Sequence, residues 1–171
     1  IGSLKIEFFR VSHSFPDAVG IAIETPIGTI VHTGDFKFDL TPVDGDGTDI
    51  SKLAHLGEKG VLVLMSDSTN AEKQGLTMSE RVVGKTFEQA FAAAKERIIV
   101  ASFASNVHRL QQIITTAHEC GRKVSIVGRS MVNVVNVAYE QGYLQIPEGT
   151  LVDLDELLKL PKNETVIITT G

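Results

Sequence analysis

Cysteine occurs once in the sequence, at Cys120. One thiol excludes a disulfide framework and a zinc site built from cysteines, and it suits a reducing cytoplasm. No apolar run approaches the length of a membrane-spanning helix, and no segment reads as a signal peptide. Basic residues are not in excess: 16 Lys and Arg stand against 21 Asp and Glu, a formal charge of -5. Nucleic-acid binders usually carry a basic surplus, so any contact with RNA or DNA must come from a local patch. The sequence contains no Walker loop, no GxGxxG and no GxSxG, which removes the commonest nucleotide and serine-hydrolase signatures. There is no internal repeat and no low-complexity segment. The chain opens on Ile1 rather than Met, inside an expected strand, and is expected to be a piece of something longer, cut at both ends.

What remains is the composition of a soluble globular protein. Of 171 residues, 43% are hydrophobic and 22% charged, with 15 Gly and 5 Pro, enough for one ordinary domain or two small ones. The first third reads as β: "LKIEFF", "GIAIET" and "GTIVHTGD" are short, partly alternating and rich in β-branched residues, with a hairpin connection at Pro26-Ile27-Gly28. "DISKLAHLGEKG" predicts a short helix, and "VLVLM" (61–65) a strand buried on both faces. Beyond residue 76 helices and strands alternate. Thr77 and Glu80 form a capping box that predicts a helix through Arg97. "RIIVASF", "KVSIV" and "ETVIITTG" predict strands. Between them lie expected helices ended by Gly121 and Gly142, and a third, "LDELLKL", capped by Asp153 with Glu156 and stopped by Pro161. Short strand–helix links imply a parallel sheet with helices on its faces.

Chemistry-bearing residues fall at the joints of this pattern. His13 stands before one alternating strand and Asp35 after the next, framed as Thr33-Gly34-Asp35. An imidazole and a carboxylate are ordinary Zn²⁺ ligands, and a hairpin between the two strands places both loops at the same end of a sheet. The plainer reading is a histidine bonded to a loop carbonyl and an aspartate capping a turn. Asp67, in "SDSTN" directly after the apolar strand, suits a hydrogen-bond acceptor behind a site or a helix N-cap. Ser105 and Asn106 mark a strand-to-helix turn, where free N–H groups and the helix dipole favour anions. His108 and Arg109 follow, and Arg122, Lys123, Arg129 and Ser130 come with the next strand. These residues outline a phosphate cradle, or equally a set of preferred N-caps and solvated arginines. His32, His55 and His118 read as structural, and Met131, Val132, Val134, Val135 and Val137 as core packing.

Taken together, "SHSFPDAVGIAIETPIGTIVHTGDFKFD", "LMSDSTNAEKQGLTMSERVVG", "ASFASNVHRLQQII" and "GRKVSIVGRSMVNVV" resemble ribonuclease J, a β-CASP group within the metallo-β-lactamase superfamily. The resemblance covers essentially the whole chain. It implies an α/β chain with a partial metallo-β-lactamase αββα region at 1–76 and a partial Rossmann-like β-CASP domain with parallel strands at 77–171. It implies a cytoplasmic, zinc-dependent ribonuclease of RNA processing and decay, acting as endonuclease and 5′–3′ exonuclease, with RNA as partner, no membrane, and a homo-oligomer or a paralogue as its assembly. Position by position, His13 corresponds to a metal histidine and Asp35 to the aspartate bridging two zinc ions. Asp67 corresponds to the acidic residue of the first β-CASP motif, and Ser105, Asn106 and Val107 to the stretch contacting RNA phosphate or nucleotide. The HxHxDH motif and the later SGH-type loop are expected outside Ile1–Gly171, so at most two zinc ligands are expected here and the piece alone is expected to be inactive. Two other readings stay open: a different metallo-β-lactamase-type hydrolase, and a non-catalytic α/β RNA- or nucleotide-binding module.

Overall fold

The computed structural model describes residues 1–43, 45, 47–75 and 77–170. Leu76, the expected end of the first region, and Gly171 lie outside the described residues. The chain forms two compact units, one of Ile1–His13 with Asp17–Ser79 and one of Ser14–Pro16 with the residues from Glu80 onward.

The first unit is a four-stranded sheet in the order β1 (Lys5–Arg10), β2 (Val19–Thr25), β3 (Gly28–His32), β4 (Val63–Met65). β2 is antiparallel to β1 and β3, while β4 runs parallel to β3. The alternation in β1 and β2 turns Phe9 and Ala22 inward, where they join Val11, Val31 and Leu56 in a small core. Leu56 lies on the helix α1 (Ile50–Lys59), whose first turn is capped by Asp49, its carboxylate accepting the Lys52 N–H at 2.9 Å. Phe9 pairs with Gly20 across the strands, and its ring fills the space a side chain at Gly20 would need, 2.3 Å from an ideal Cβ.

β4 departs from expectation. Its apolar run predicts burial on both faces, yet Val63, Leu64 and Met65 are 43%, 63% and 45% exposed. Among the described residues the strand is an edge that pairs only with β3, and no helix of its unit joins it in the core cluster.

The second unit is a parallel sheet in the order β5 (Ile98–Ala101), β7 (Thr165–Thr169), β6 (Lys123–Val127). The expected α/β alternation is present: α2 (Glu80–Ala93) precedes β5, α3 (Val107–Glu119) joins β5 to β6, and α4 (Arg129–Glu140) follows β6. Leu110, Ile113, Ile114 and Ala117 on α3 meet Val124, Met131, Val135, Val166 and Ile168 in a core far larger than that of the first unit. Each of these side chains larger than alanine contributes on the order of 1.5–3 kcal/mol on burial.

Three helix boundaries differ from the sequence expectation. α2 begins at Glu80, so this residue is not the third position behind a Thr77 cap. Its carboxylate instead receives two nitrogens of Arg109, at 2.8 to 3.2 Å. α2 also ends at Ala93 rather than near Arg97, because the buried Arg122 guanidinium donates to the carbonyls of Phe91, Ala94 and Glu96 and closes the helix there. The third expected helix is a single turn, α5 (Leu154–Leu157), and the Asp153 side chain makes no capping bond.

Candidate functional site

In the first unit β2 reverses the chain between β1 and β3, and β4 copies the direction of β3. β1, β3 and β4 therefore all end at one edge of the sheet. His13, Asp35 and Asp67 lie in the three loops that leave that edge. The first two loops are bridged at Ser12 and Lys37, the Lys37 N–H donating to the Ser12 carbonyl at 2.8 Å. The second and third are joined by Thr33. Its own N–H donates to the Met65 carbonyl at 3.0 Å, and its buried hydroxyl accepts the Asp67 N–H at 3.0 Å while donating to the Gly34 carbonyl at 2.8 Å. Gly34 takes φ +63°, and a Cβ there would stand 2.7 Å from the Val19 carbonyl oxygen. Only glycine fits that close approach without strain.

The three side chains sit differently. His13 is half-buried, and Asp35 is exposed with no hydrogen-bond partner among the described residues. Asp67 is held: one carboxylate oxygen accepts from the Thr69 hydroxyl at 2.7 Å and the Thr69 N–H at 3.0 Å. Those two bonds, the hydroxyl first, keep its carboxyl below the usual carboxylate range; desolvation works against them, while the Phe36 N–H and the charge of His13 assist. Asp67 thus caps a turn and not a helix. His32, which stands within the same motif, accepts the Gly34 N–H at its Nδ1 at 2.9 Å and so stiffens the turn.

The donors gathered at this edge do not by themselves match a metal shell. Among the described residues no three or more His, Cys, Asp and Glu side chains are grouped to hold an ion, and a structural or catalytic zinc needs at least three protein ligands. A cavity of about 430 Å³ opens beside Asp67, lined in part by Phe36, Phe38, Ser66 and Thr69.

In the second unit the parallel strands β5, β7 and β6 also end at a common edge. The Ser102 N–H donates to the Thr169 carbonyl at 3.0 Å and closes the end of β5 on β7. Asn106 is buried and caps α3, its side-chain oxygen accepting the Arg109 N–H at 3.0 Å. The N–H groups of Asn106 and Val107 turn back on the carbonyls of Phe103 and Ser105, at 3.1 and 3.0 Å, and the Val107 side chain is buried. Ser105 is exposed. Of the basic residues that the sequence groups around it, Arg109 is bound to Glu80, Arg122 is buried against the end of α2, and Lys123 donates to the Gly149 carbonyl. These three are structural. Arg129 and Ser130 are exposed at the start of α4.

Two residues escape the sequence reading. Thr33 is the tie between the carboxylate loops, and Phe103 stands 79% exposed two positions before Ser105. An aromatic ring immediately after a strand in "FASN" was the available signal for Phe103. Nothing local marks Thr33.

Comparison with known proteins extends over both units. Residues 95–171 match the β-CASP domain of ribonuclease J. The chain is similar to "Ribonuclease J" of Helicobacter pylori strain J99, 44% identical over 171 residues, covering 100% of this chain and 25% of the relative. It is 48% identical to "Ribonuclease J 1" of Streptococcus pyogenes serotype M3 and 43% identical to "Ribonuclease J2" of Bacillus subtilis, in each case over 99% of this chain and 30% of the relative. A crystal structure of a protein of unknown function from Enterococcus faecalis V583 superposes with a TM-score of 0.66 at 18% identity, covering 100% of this chain and 42% of that one. That likeness carries the fold alone. The chain spans about a quarter to a third of the curated relatives it matches. Along its whole length the chain is similar to a part of ribonucleases J, and its residues from 95 onward match their β-CASP domain.

Proposed function

We propose that the protein hydrolyses the phosphodiester bonds of RNA, as an endonuclease and a 5′–3′ exonuclease of RNA processing and decay. The observation that carries this reading is the delivery of His13, Asp35 and Asp67 to one sheet edge by three loops that bridge one another. Similarity to ribonucleases J over 99–100% of the chain supports it. Residues 1–76 belong in this reading to a partial metallo-β-lactamase domain and 77–171 to a partial β-CASP domain. The division between compact units at Ser79 and Glu80 is compatible with that assignment.

His13 and Asp35 are the metal donors in this proposal, with zinc as the ion. Two donors do not close a coordination shell, so no chemical step is assigned to a metal in this chain. Electrostatics supports the need for a cation all the same. RNA phosphate approaching an edge that carries Asp35 and an ionised Asp67 meets like charge, in a chain of formal charge -5. The isolated chain is accordingly an inactive piece, and the exposed apolar face of β4 is the surface on which the rest of the protein packs. RNA, a cytoplasmic location, and assembly with a second copy or a paralogue belong to the same proposal.

In the second unit Ser105 offers its hydroxyl to a phosphate oxygen, while Asn106 and Val107 fix the turn that presents it. Phe103 supplies an exposed ring on which a base stacks. Such stacking contributes on the order of 1–3 kcal/mol and is tolerant of sequence. Non-catalytic RNA binding remains the second reading for the isolated chain, favoured by the lack of a group of three metal donors among the described residues.

The test is a chimera in which this chain replaces the matching segment of the Helicobacter pylori ribonuclease J. The expected result is cleavage of a 5′-monophosphorylated single-stranded RNA. A folded chimera that binds the RNA and leaves it intact would favour the binding module.

A further inference from the structure

The outer edge of β6 carries an unfinished strand. Val124 donates its N–H to the Thr150 carbonyl at 2.8 Å and accepts the Val152 N–H at 3.0 Å, which makes one parallel bridge to Leu151. Polar groups of successive residues alternate between the two sides of a strand, so Ile126 presents its N–H and C=O to the same outer side as Val124. There the 150–152 segment has turned away into α5, and among the described residues no backbone bond joins it to Ile126.

A cavity of about 390 Å³ lies at this point. Ile126, Val132, Val135 and Leu151 give it an apolar floor, and Asp153 and Glu156 stand on its rim. Both acids are exposed, and neither forms an ion pair among the described residues. Asp153 occupies the N-cap position of α5 without spending its carboxylate on the helix. Backbone donor and acceptor, apolar floor and acidic rim therefore meet in one groove.

We propose that this groove docks an extended basic segment of a partner protein, which continues the Leu151 strand line along β6, seats an apolar side chain on Val132 and Val135, and pairs a Lys or Arg with Asp153 and Glu156. Strand addition of this kind draws affinity from main-chain bonds and specificity from the side-chain pocket. The acidic rim selects a cation and repels nucleic acid, so the groove is distinct in chemistry from the RNA-facing residues proposed above and does not depend on them.

The test is a titration of the ¹⁵N-labelled chain with the peptide acetyl-Lys-Val-Leu-Val-Lys-amide, followed by amide shifts. The expected result is saturable shifts at Ile126 and at residues 151–156, with affinity in the range of about 0.1–1 mM for so short a segment. N-methylation of the three central residues removes the main-chain donors and is expected to weaken binding by about tenfold or more. A peptide with Glu in place of Lys is expected not to bind, and the Asp153→Asn, Glu156→Gln chain is expected to bind the original peptide several-fold less well. Saturable shifts at another location, equal binding of the N-methylated peptide, insensitivity to charge reversal, or no saturable shift at all would each overturn the proposal.

Discussion

The Thr33 hydroxyl binds two loops at once, accepting the Asp67 N–H at 3.0 Å and donating to the Gly34 carbonyl at 2.8 Å. Valine keeps the shape of threonine and removes both bonds, leaving the Asp67 amide without its acceptor. Thr33→Val is therefore expected to destabilise the first unit by about 1–3 kcal/mol, and Thr33→Ser to recover most of that loss. Urea unfolding of the two variants checks it; equal loss in both would assign the effect to methyl packing instead.

Acid sensitivity is expected from Asp39. Burial pushes its carboxyl upward, but the Thr41 N–H, the Ser79 hydroxyl and the Lys37 ammonium together outweigh burial and hold it below the ordinary value. The Lys37 nitrogen stands 3.3 Å from one of its oxygens and the Thr41 N–H 3.0 Å from the other. A carboxyl depressed by folding contributes stability that is fully present above its unfolded value, about 3.9, and that is lost as pH falls through the lower folded value. The stability difference between wild type and Asp39→Asn is thus expected to be constant above about pH 5 and to shrink steadily below pH 4. A difference independent of pH would mean that charge is not what Asp39 contributes.

Arg109 is expected to act on stability and not on RNA. Its guanidinium engages Glu80 at 2.8 Å and ties the start of α2 to the start of α3. Arg109→Lys loses the forked geometry and is expected to cost on the order of 1 kcal/mol. In a double-mutant cycle with Glu80→Gln the two losses are expected to couple. Additive losses, together with weakened RNA binding in the lysine variant alone, would return Arg109 to the phosphate cradle.

The order of elements was legible because alternation in β1 and β2, and the glycines at 121 and 142, are local signals. Of the candidate site only the placement was legible: His13 and Asp35 stand at turns where such side chains have no need to be, and the strand pairing brings their loops to one end of the sheet. What the sequence could not carry is partnership over distance. Glu80 reads as the far end of a capping box until Arg109, 29 positions later, claims its carboxylate. Arg122 reads as a surface cation until the carbonyls of α2 close on it. The apolar run of β4 speaks for cover on both faces, a demand that its own unit leaves unmet. Leu64→Lys is accordingly expected to lower self-association of the isolated chain without unfolding it, as sedimentation and circular dichroism would report. Unchanged association would show that another surface drives it.

The proposal that His13, Asp35 and Asp67 share one hydrolytic edge is tested most directly by turnover of the Helicobacter pylori chimera carrying Asp35→Asn, beside the same chimera carrying Asp39→Asn. Loss of a metal-donating carboxylate is expected to cost about 10²-fold or more in rate. The account predicts a loss of that size for Asp35→Asn with folding intact, and less than about tenfold for Asp39→Asn, which acts only on packing and charge nearby. RNA cleavage at the unsubstituted rate by the Asp35→Asn chimera would contradict it.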